Sequence, residues 1–423
     1  MRTYRELFRT PEFTPFFLTS SFQVAAQTVS GLALGTLIYD RTGSPLLSAL
    51  GMFGPSLAQV VGAAALLSAA DRLPPRAATA GLALVFGVAT AAQALPGLPL
   101  WAAFALLLGL GTLAALGGGV RYGLLDEILS REGYLLGRSV LNMSGGTMQI
   151  CGFGLGGVLV ATLSPRGTLL AGACLYLAAA VVARCGLGRR APRATGRPAV
   201  AETWRTNASL WSCGHRRTVY LALWVPNGLI VGCESLFVPY APGHAGLLFA
   251  FAAFGMLVGD VLTGRLLPRR WRERLGAPLR LLLAVPYLVL AVRPGLPFAL
   301  TAVALASVGF SASLLLQEQL MALTPDASSG HALGLHASGM LTMQGVGAAL
   351  AGGVAQLTSA PAAMAVLAMA SVAVTLALAP GLRSAASAAS VASVAQASRS
   401  TAAATRSSVA VSATRTKRSP AGP

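Results

Sequence analysis

Twelve apolar runs dominate the sequence and limit its fold more than any other feature. Each run is about 20 residues long, enough to cross the hydrocarbon core of a bilayer as a helix. Only 10% of the residues are charged and 55% are hydrophobic, which argues against soluble domains. The sequence therefore predicts an all-α, multi-pass membrane protein. The runs cover residues 13–38, 46–69, 76–95, 98–120, 138–163, 167–187, 218–240, 244–267, 276–292, 296–317, 333–357 and 361–382.

The basic residues support this count and orient the chain. Of the 31 lysine and arginine residues, all but Arg41, Arg166 and Arg293 lie in the termini, in alternate connections between the runs, or inside a run within about five residues of such a connection. Positively charged residues concentrate on the cytoplasmic side of membrane proteins. We therefore expect twelve spans in a bacterial plasma membrane, with both termini cytoplasmic. A membrane surface also explains the net charge of +18, so no nucleic acid partner is expected.

One long connection divides the spans into six and six. The expected parts are an N-terminal half (1–187), a cytoplasmic central loop (188–217) and a C-terminal half (218–382). Residues 383–423 are rich in Ala, Ser and Arg without apolar periodicity, so we expect a disordered cytoplasmic tail there.

The two halves also resemble each other in sequence. The triplet Thr-Met-Gln at 147–149 in the fifth run recurs at 342–344 in the eleventh run. At the same offset, Gly152 corresponds to Gly347. Two related six-helix halves are typical of transporters, which hold the substrate between them near the middle of the membrane.

Three short segments resemble the motifs of a known family. Residues 71–76 (D-R-L-P-P-R) follow the second run and resemble D-R-x-G-R-R, and residues 152–157 (G-F-G-L-G-G) resemble G-P-x-x-G-G with Phe153 at the proline position. Residues 119–126 resemble P-A-R-x-x-x-L-P. With the six-and-six division, residues 1–382 are similar to the major facilitator superfamily, especially its bacterial drug-efflux and siderophore-export branches. The resemblance implies the major facilitator fold.

The resemblance also implies a cytoplasmic network of charged residues that breaks and re-forms when the halves rock. Charges that simply face water or lipid headgroups are the alternative explanation. The candidates for this network are Asp71, Arg72, Arg76, Arg121, Asp126, Glu127, Arg138, Asp260 and Arg265.

Small residues share one face of the fifth run. Gly145, Gly152 and Gly156 follow helical spacing together with Gln149, and Gly157 lies beside them. Small residues let two helix backbones approach closely. We expect this face to pack against a neighbouring helix, either statically or as a surface that moves.

A polar stripe in the first run is the main cavity candidate. Ser20, Gln23, Gln27 and Ser30 follow the spacing i, i+3, i+7, i+10 and lie on one helix face. Because polar groups that face lipid are costly, this face should meet a partner helix or a water-filled cavity. The resemblance favours a substrate cavity, and the sequence places no basic residue clearly at membrane depth. Further cavity candidates, which hydrogen bonding between helices would also explain, are Gln149, Asn227 and Gln344.

Glu234 is the candidate for proton coupling. It is an acidic residue inside the seventh run, and an ionisable group within a span is a functional-site hypothesis by default. Such a group can take a proton from one side of the membrane and release it to the other. A carboxylate that reaches the mouth of the cavity is the alternative interpretation.

The expected function is secondary active transport, as proton-coupled export of a hydrophobic or amphipathic small molecule such as a drug, antibiotic or siderophore. Import of a small nutrient is one alternative, and a membrane-embedded enzyme is another. The enzyme would need catalytic motifs such as HExxH, which the sequence lacks. The sole lysine, Lys417, is too isolated for a nucleotide-binding Walker A loop. We expect a monomer without cofactor or metal, whose partners are its substrate, protons and the bilayer.

Overall fold

The computed structural model describes residues 4–70, 72–129, 131–192, 200–266, 268–325 and 328–416, and the regular structure in these ranges is helical. In this part of the chain, nine helical segments are long and apolar enough to cross a membrane. One of them, Leu136–Gly186, is 51 residues long and kinks at Ser164, so it holds two predicted spans. Two other helices, which are more polar, correspond to the remaining two predicted spans. They are Gly214–Ser235 and Ser329–Leu357. The predicted all-α membrane fold is confirmed.

The N-terminal half is a bundle around its first long helix. Pro165 explains the kink at Ser164, because proline disfavours helical geometry in the residue before it. We call 131–163 the first arm of the kinked helix and 165–186 its second arm. The first long helix packs against both arms. The helices of this half are α1 (Tyr4–Arg9), α2 (Phe13–Thr42), α3 (Pro45–Ala70), α4 (Pro75–Gln93), α5 (Leu100–Ile128) and α6 (Arg131–Gly186).

The C-terminal half repeats this plan with more interruptions. The predicted span 276–292 is an α-helix followed by a 3-10 segment, Val285–Val292, where Pro286 removes a backbone donor. A π-helix, Leu262–Leu266, ends another span. The helices are α8 (Gly214–Ser235), α9 (Phe237–Tyr240), α10 (Ala245–Val261), α11 (Arg269–Leu282), α12 (Leu296–Val308), α13 (Ala312–Ala322), α14 (Ser329–Leu357) and α15 (Ala360–Thr416).

Two regions predicted to lie outside the spans contain helix. The central loop includes α7 (Val200–Ser212), whose Trp211 stacks on Trp224 of α8 with ring centroids 5.6 Å apart. Helix α15 continues past the last predicted span, and its backbone is helical to Thr416. The residues after 382 are rich in alanine, which has the highest helix propensity, and this explains the continuation.

The halves meet along two seams, α3 with α14 and the first arm of α6 with α10. A Cβ built on Gly246 of α10 would lie 2.6 Å from the Cα of Gly157, so the second seam requires glycine there. Phe153, at the proline position of the sequence motif, stacks on Phe249 across the same seam, with ring centroids 4.7 Å apart. The large phenyl ring therefore fills the seam between the halves.

Candidate functional site

A cavity of about 350 Å³ lies inside the N-terminal half. Helices α2, α3, α4 and α5 surround it, and Tyr176 of the second arm of α6 completes its wall. Along α2 it extends from Phe16 to Leu34, about 27 Å of helix at 1.5 Å per residue. A concave space of this volume is typical of sites for small molecules.

The predicted polar stripe of α2 lines this cavity. Ser20, Gln23, Gln27 and Ser30 are all in its wall, as their helical spacing requires. The Ser30 hydroxyl is buried and has no hydrogen-bond partner among the described residues, and the same is true of Thr19 in the same wall. A buried hydroxyl without a partner costs free energy. These two oxygens are themselves closed to solvent, and the Ser30 hydroxyl lies beside Gly172 of α6, so a ligand would meet the other polar groups of the wall.

Sequence reasoning missed the polar residues that α3 and α4 contribute. Gln59 lines the cavity from α3, and Thr90 and Gln93 line it from α4. Thr90 and Gln93 are only 2% and 5% exposed. Each of these helices offers only one pair of polar residues at helical spacing, Ser56 with Gln59 on α3 and Thr90 with Gln93 on α4. Two polar residues do not distinguish a cavity wall from a contact between helices.

Arg121 lies in the cavity wall, although the sequence predicted no basic residue clearly at membrane depth. The apolar run ends at residue 120, but α5 continues to Ile128. Arg121 therefore lies about 10 Å of helix rise before the end of α5. Gly117 and Gly118 share the wall with it, and a Cβ built on either would meet no heavy atom within 4 Å. The cavity is open beside the arginine.

The other three cavity candidates lie elsewhere. Asn227 is buried in the C-terminal half, where its amide donates to the Leu223 carbonyl (2.8 Å) and to the Ser313 hydroxyl (2.9 Å). It therefore joins α8 to α13. Gln149 is exposed on α6 and Gln344 is half-buried on α14, and neither lines the cavity.

Glu234 is buried in the C-terminal half, at the end of α8 and outside the cavity wall. The Tyr287 hydroxyl donates a hydrogen bond of 3.4 Å to its Oε1 atom. Its neighbours Cys233 and Leu236 belong to the largest apolar cluster of the described chain, as does Tyr287. The carboxyl group and the polar cavity thus lie in different halves.

The glycine face of the first α6 arm serves two contacts. Gly152 and Gly156 pack on α2, with Thr28 and Val29 nearest to where their Cβ atoms would be. Gly157 instead contacts Gly246 of the other half. At Gly145 a Cβ would meet nothing within 4 Å, so it has open space.

The charged candidates at the central-loop end of the bundle do not form one network among the contacts that we can assign. Asp71 lies outside the described residues. The Arg76 side chain donates to the Arg184 carbonyl within the N-terminal half. Arg265 reaches across the halves to the Met143 sulfur at 3.7 Å. The remaining candidates with exposed positions are Arg72, Asp126, Arg138 and Asp260.

A charged cluster that the sequence did not predict involves Arg190. Its guanidinium lies 2.6 Å from Glu12 and 3.3 Å from Glu127, and so connects the start of α2, the end of α5 and the central loop. Burial alone would raise the pKa of Glu12, but the Gly188 N–H and the Arg190 charge outweigh it and hold that pKa below its ordinary value. Residues 178 positions apart leave no local sequence signal for this contact.

No protein-family model matches the chain, and no curated protein matches it in sequence. Solved structures do match. A point mutant of the nucleoside transporter NupG has a TM-score of 0.70 at 12% identity, covering 88% of this chain and 99% of that one. A POT family transporter in complex with a thioalcohol-conjugated peptide has a TM-score of 0.69 at 10% identity, covering 88% and 96%. The chain has the major facilitator fold.

A third match has the same fold. A bacterial homolog of the human lysosomal transporter Spinster, inward-facing and unoccupied, has a TM-score of 0.64 at 15% identity. The match covers 93% of this chain and 95% of the homolog. Identities this low establish the fold alone. They do not identify the molecule that the chain binds.

Proposed function

We propose that this protein is a secondary active transporter that carries a small molecule by alternating access to the N-terminal cavity. The main support is the cavity itself, which polar side chains of α2, α3 and α4 line. The likeness to NupG, the POT transporter and the Spinster homolog supports the proposal, because each is described as a transporter.

The seams between the halves suit a rocking motion. At the end opposite the central loop, the contacts include the glycine pair Gly157 and Gly246 and a hydrogen bond of 2.8 Å from Ser44 to Gln356. These groups are neutral, so separating them leaves no buried charge without its partner. Small residues at helix crossings allow close packing without interlocking side chains.

We further propose that Glu234 carries the coupling proton and that transport is export. A carboxyl group within a span marks a proton path by default, and Tyr287 is a neutral donor that accommodates either protonation state. The proposed setting is a bacterial plasma membrane, with a monomer whose termini are cytoplasmic. Export rests on the resemblance of residues 152–157 to the G-P-x-x-G-G motif, which implies antiport, and import is the competing direction.

Inside-out membrane vesicles with an acidic lumen test both proposals. Antibiotics, dyes and siderophores are added singly while a pH-sensitive dye reports the gradient. We expect a transported compound to dissipate the gradient with wild type but not with Glu234→Gln. The control Asp40→Asn removes an exposed acid at the end of α2 and should behave as wild type.

The outcomes separate the alternatives. Dissipation that persists in Glu234→Gln would remove this residue from the proton path. Labelled solutes that cross without any effect on the gradient would replace the exporter with a facilitator. Failure of every compound to cross in either direction would contradict transport itself.

A further inference from the structure

We propose that the cargo carries an uncharged amide-type group, such as a carboxamide, lactam or urea, which pairs with the Gln93 side chain at one end of the cavity. The rest of the cargo would include a flat ring that lies against the aromatic side chains of the wall. This inference rests on the proposed transport function and narrows its substrate class.

Apolar side chains close the cavity at the end where Gln93 lies. Leu34 and Leu107 line the cavity. Both belong to the same buried cluster as Ala94, the residue that follows Gln93 in the chain. The Gln93 side chain is therefore the polar group that a cargo meets next to this apolar end.

The Gln93 amide is buried but available to a ligand. The residue is 5% exposed and makes no hydrogen bond to another described side chain or backbone group. Unlike the hydroxyls of Thr19 and Ser30 in the same wall, its polar atoms are not closed to solvent. Because the side chain lines the cavity, these atoms are open toward it. A buried amide without a partner costs free energy, and a ligand with a matching group would offset that cost.

The chemistry of the amide selects the group that it binds. A side-chain amide presents a C=O acceptor and an NH₂ donor side by side. It can therefore form two parallel hydrogen bonds with another amide edge. A ketone or a carboxylate offers acceptors only, so it would leave the Gln93 carbonyl oxygen without a donor.

The charges of the wall favour an uncharged group at this end. Among the lining residues within the described ranges, Arg121 is the one charged residue. It lies about 21 Å of helix rise from Leu107 along α5, and so at the other end of the cavity. An ionic group beside Gln93 would be buried without a countercharge in the nearby wall, which is costly.

The wall of α4 fits a flat ring next to the amide. Phe86, Thr90 and Gln93 follow helical spacing, so they share one face of α4, and all three line the cavity. Phe86 stacks on Tyr176, also in the wall, with ring centroids 5.5 Å apart. About 10 Å of helix rise separates Phe86 from Gln93, a distance that a small aromatic amide can span. The expected cargo is thus an aromatic or heterocyclic amide.

Matched sets of small molecules test the amide preference. Nicotinamide is compared with 3-acetylpyridine and nicotinate, and benzamide with acetophenone and benzoate. Each ketone keeps the ring and the carbonyl oxygen of its amide but lacks the N–H donors. The purified full-length protein in nanodiscs is titrated with each compound, and thermal unfolding reports binding. We expect each amide to bind about tenfold more tightly than its ketone or its acid, because only the amide satisfies both groups of Gln93.

Variants of the closed end locate the preference. Gln93→Met keeps the length of the side chain without its hydrogen-bonding groups and should abolish the difference between amide and ketone. The control Gln149→Met, exposed on α6 outside the cavity wall, should leave the difference unchanged. If Gln93→Met does not fold, Gly31→Leu serves instead. Gly31 lines the cavity one turn before Leu34 and has open space around it, so the added side chain should block access to Gln93 and remove the preference.

Three results would overturn the proposal. One is equal binding of amides and ketones, or tighter binding of the acids, in wild type. Another is an amide preference that survives both Gln93→Met and Gly31→Leu. The third is failure of both amides to bind.

Transport assays distinguish this inference from the proposed function. Counterflow of labelled nicotinamide in proteoliposomes is measured alongside binding, and protein-free liposomes correct for leakage. Amides that bind through Gln93 but do not cross with the protein would contradict the transporter and leave the amide site in place. Counterflow at an unchanged rate in Gln93→Met would contradict the amide site and leave the transporter in place.

Discussion

The two halves share one helix plan but fill their interiors differently. The N-terminal half encloses a polar cavity with Arg121 in its wall. Most of the largest apolar cluster belongs to the C-terminal half, where Phe237 and Tyr287 are almost completely buried close to Glu234. One half thus encloses a polar cavity, and the other is packed around a carboxyl group.

Equivalent glycines show the same contrast in packing. Gly152 and Gly347 occupy corresponding positions in the two halves. A Cβ on Gly152 would lie 2.9 Å from the Cβ of Thr28, a close contact that a small shift of the two helices relieves, whereas one on Gly347 would collide with the backbone carbonyl of Gly228. The crossing of α8 and α14 is therefore a backbone contact that cannot adapt. At the corresponding position of the N-terminal half, the contact between α2 and the first arm of α6 is less tight.

The largest expected effect comes from filling the cavity. Gly118→Leu should reduce transport about a hundredfold, the equivalent of about 3 kcal/mol of overpacking against the cargo. Gly109→Leu is the matched control, since Gly109 is exposed on the same helix outside the cavity wall and also has open space around it. Initial rates in proteoliposomes measure the effect, with size-exclusion profiles to confirm folding. Wild-type rates in Gly118→Leu would show that the cargo does not use this cavity.

The fold was predictable because the thickness of the bilayer sets the length of the apolar runs, and this constraint does not depend on the contacts between helices. The α2 stripe was predictable for a similar reason, since its four polar residues repeat with the helical period over about three turns, from Ser20 to Ser30. The position of Arg121 was not, because an apolar run does not tell where its helix ends. The pairing of Arg190 with Glu12 depends on tertiary packing alone.

The difference in packing at the equivalent glycines predicts an effect of intermediate size on the free energy of unfolding. Gly347→Ala should lower the free energy of unfolding by about 1–3 kcal/mol, because the added methyl group meets a fixed backbone carbonyl. Gly152→Ala should cost less than about 1 kcal/mol, since the added methyl group needs only a small shift away from the Thr28 Cβ. Unfolding in mixed micelles measures both. Gly353→Ala, on the same helix as Gly347 but with open space around it, controls for helix propensity. Equal costs at positions 152 and 347 would break the contrast between the halves.

The smallest effect concerns the Arg190 cluster, which lies entirely within the N-terminal half and its adjoining loop. Arg190→Gln should destabilise that half by less than about 1 kcal/mol, because a partly exposed ion pair is screened by water and salt. Since the Glu12 pKa is lowered in the folded state, its contribution is present above the ordinary pKa and is lost as pH falls through the lowered one.

Hydrogen exchange resolved by half measures this effect. Protection should fall around the start of α2 and the end of α5 in Arg190→Gln, and the loss should shrink at low pH and at high salt. Glu12→Gln should reproduce most of it, because it removes the shorter of the two Arg190 contacts. The C-terminal half should be unaffected, since none of the assigned Arg190 contacts reaches it. Equal loss of protection in both halves would mean that the cluster supports the whole bundle, and the halves would then not be independent in stability.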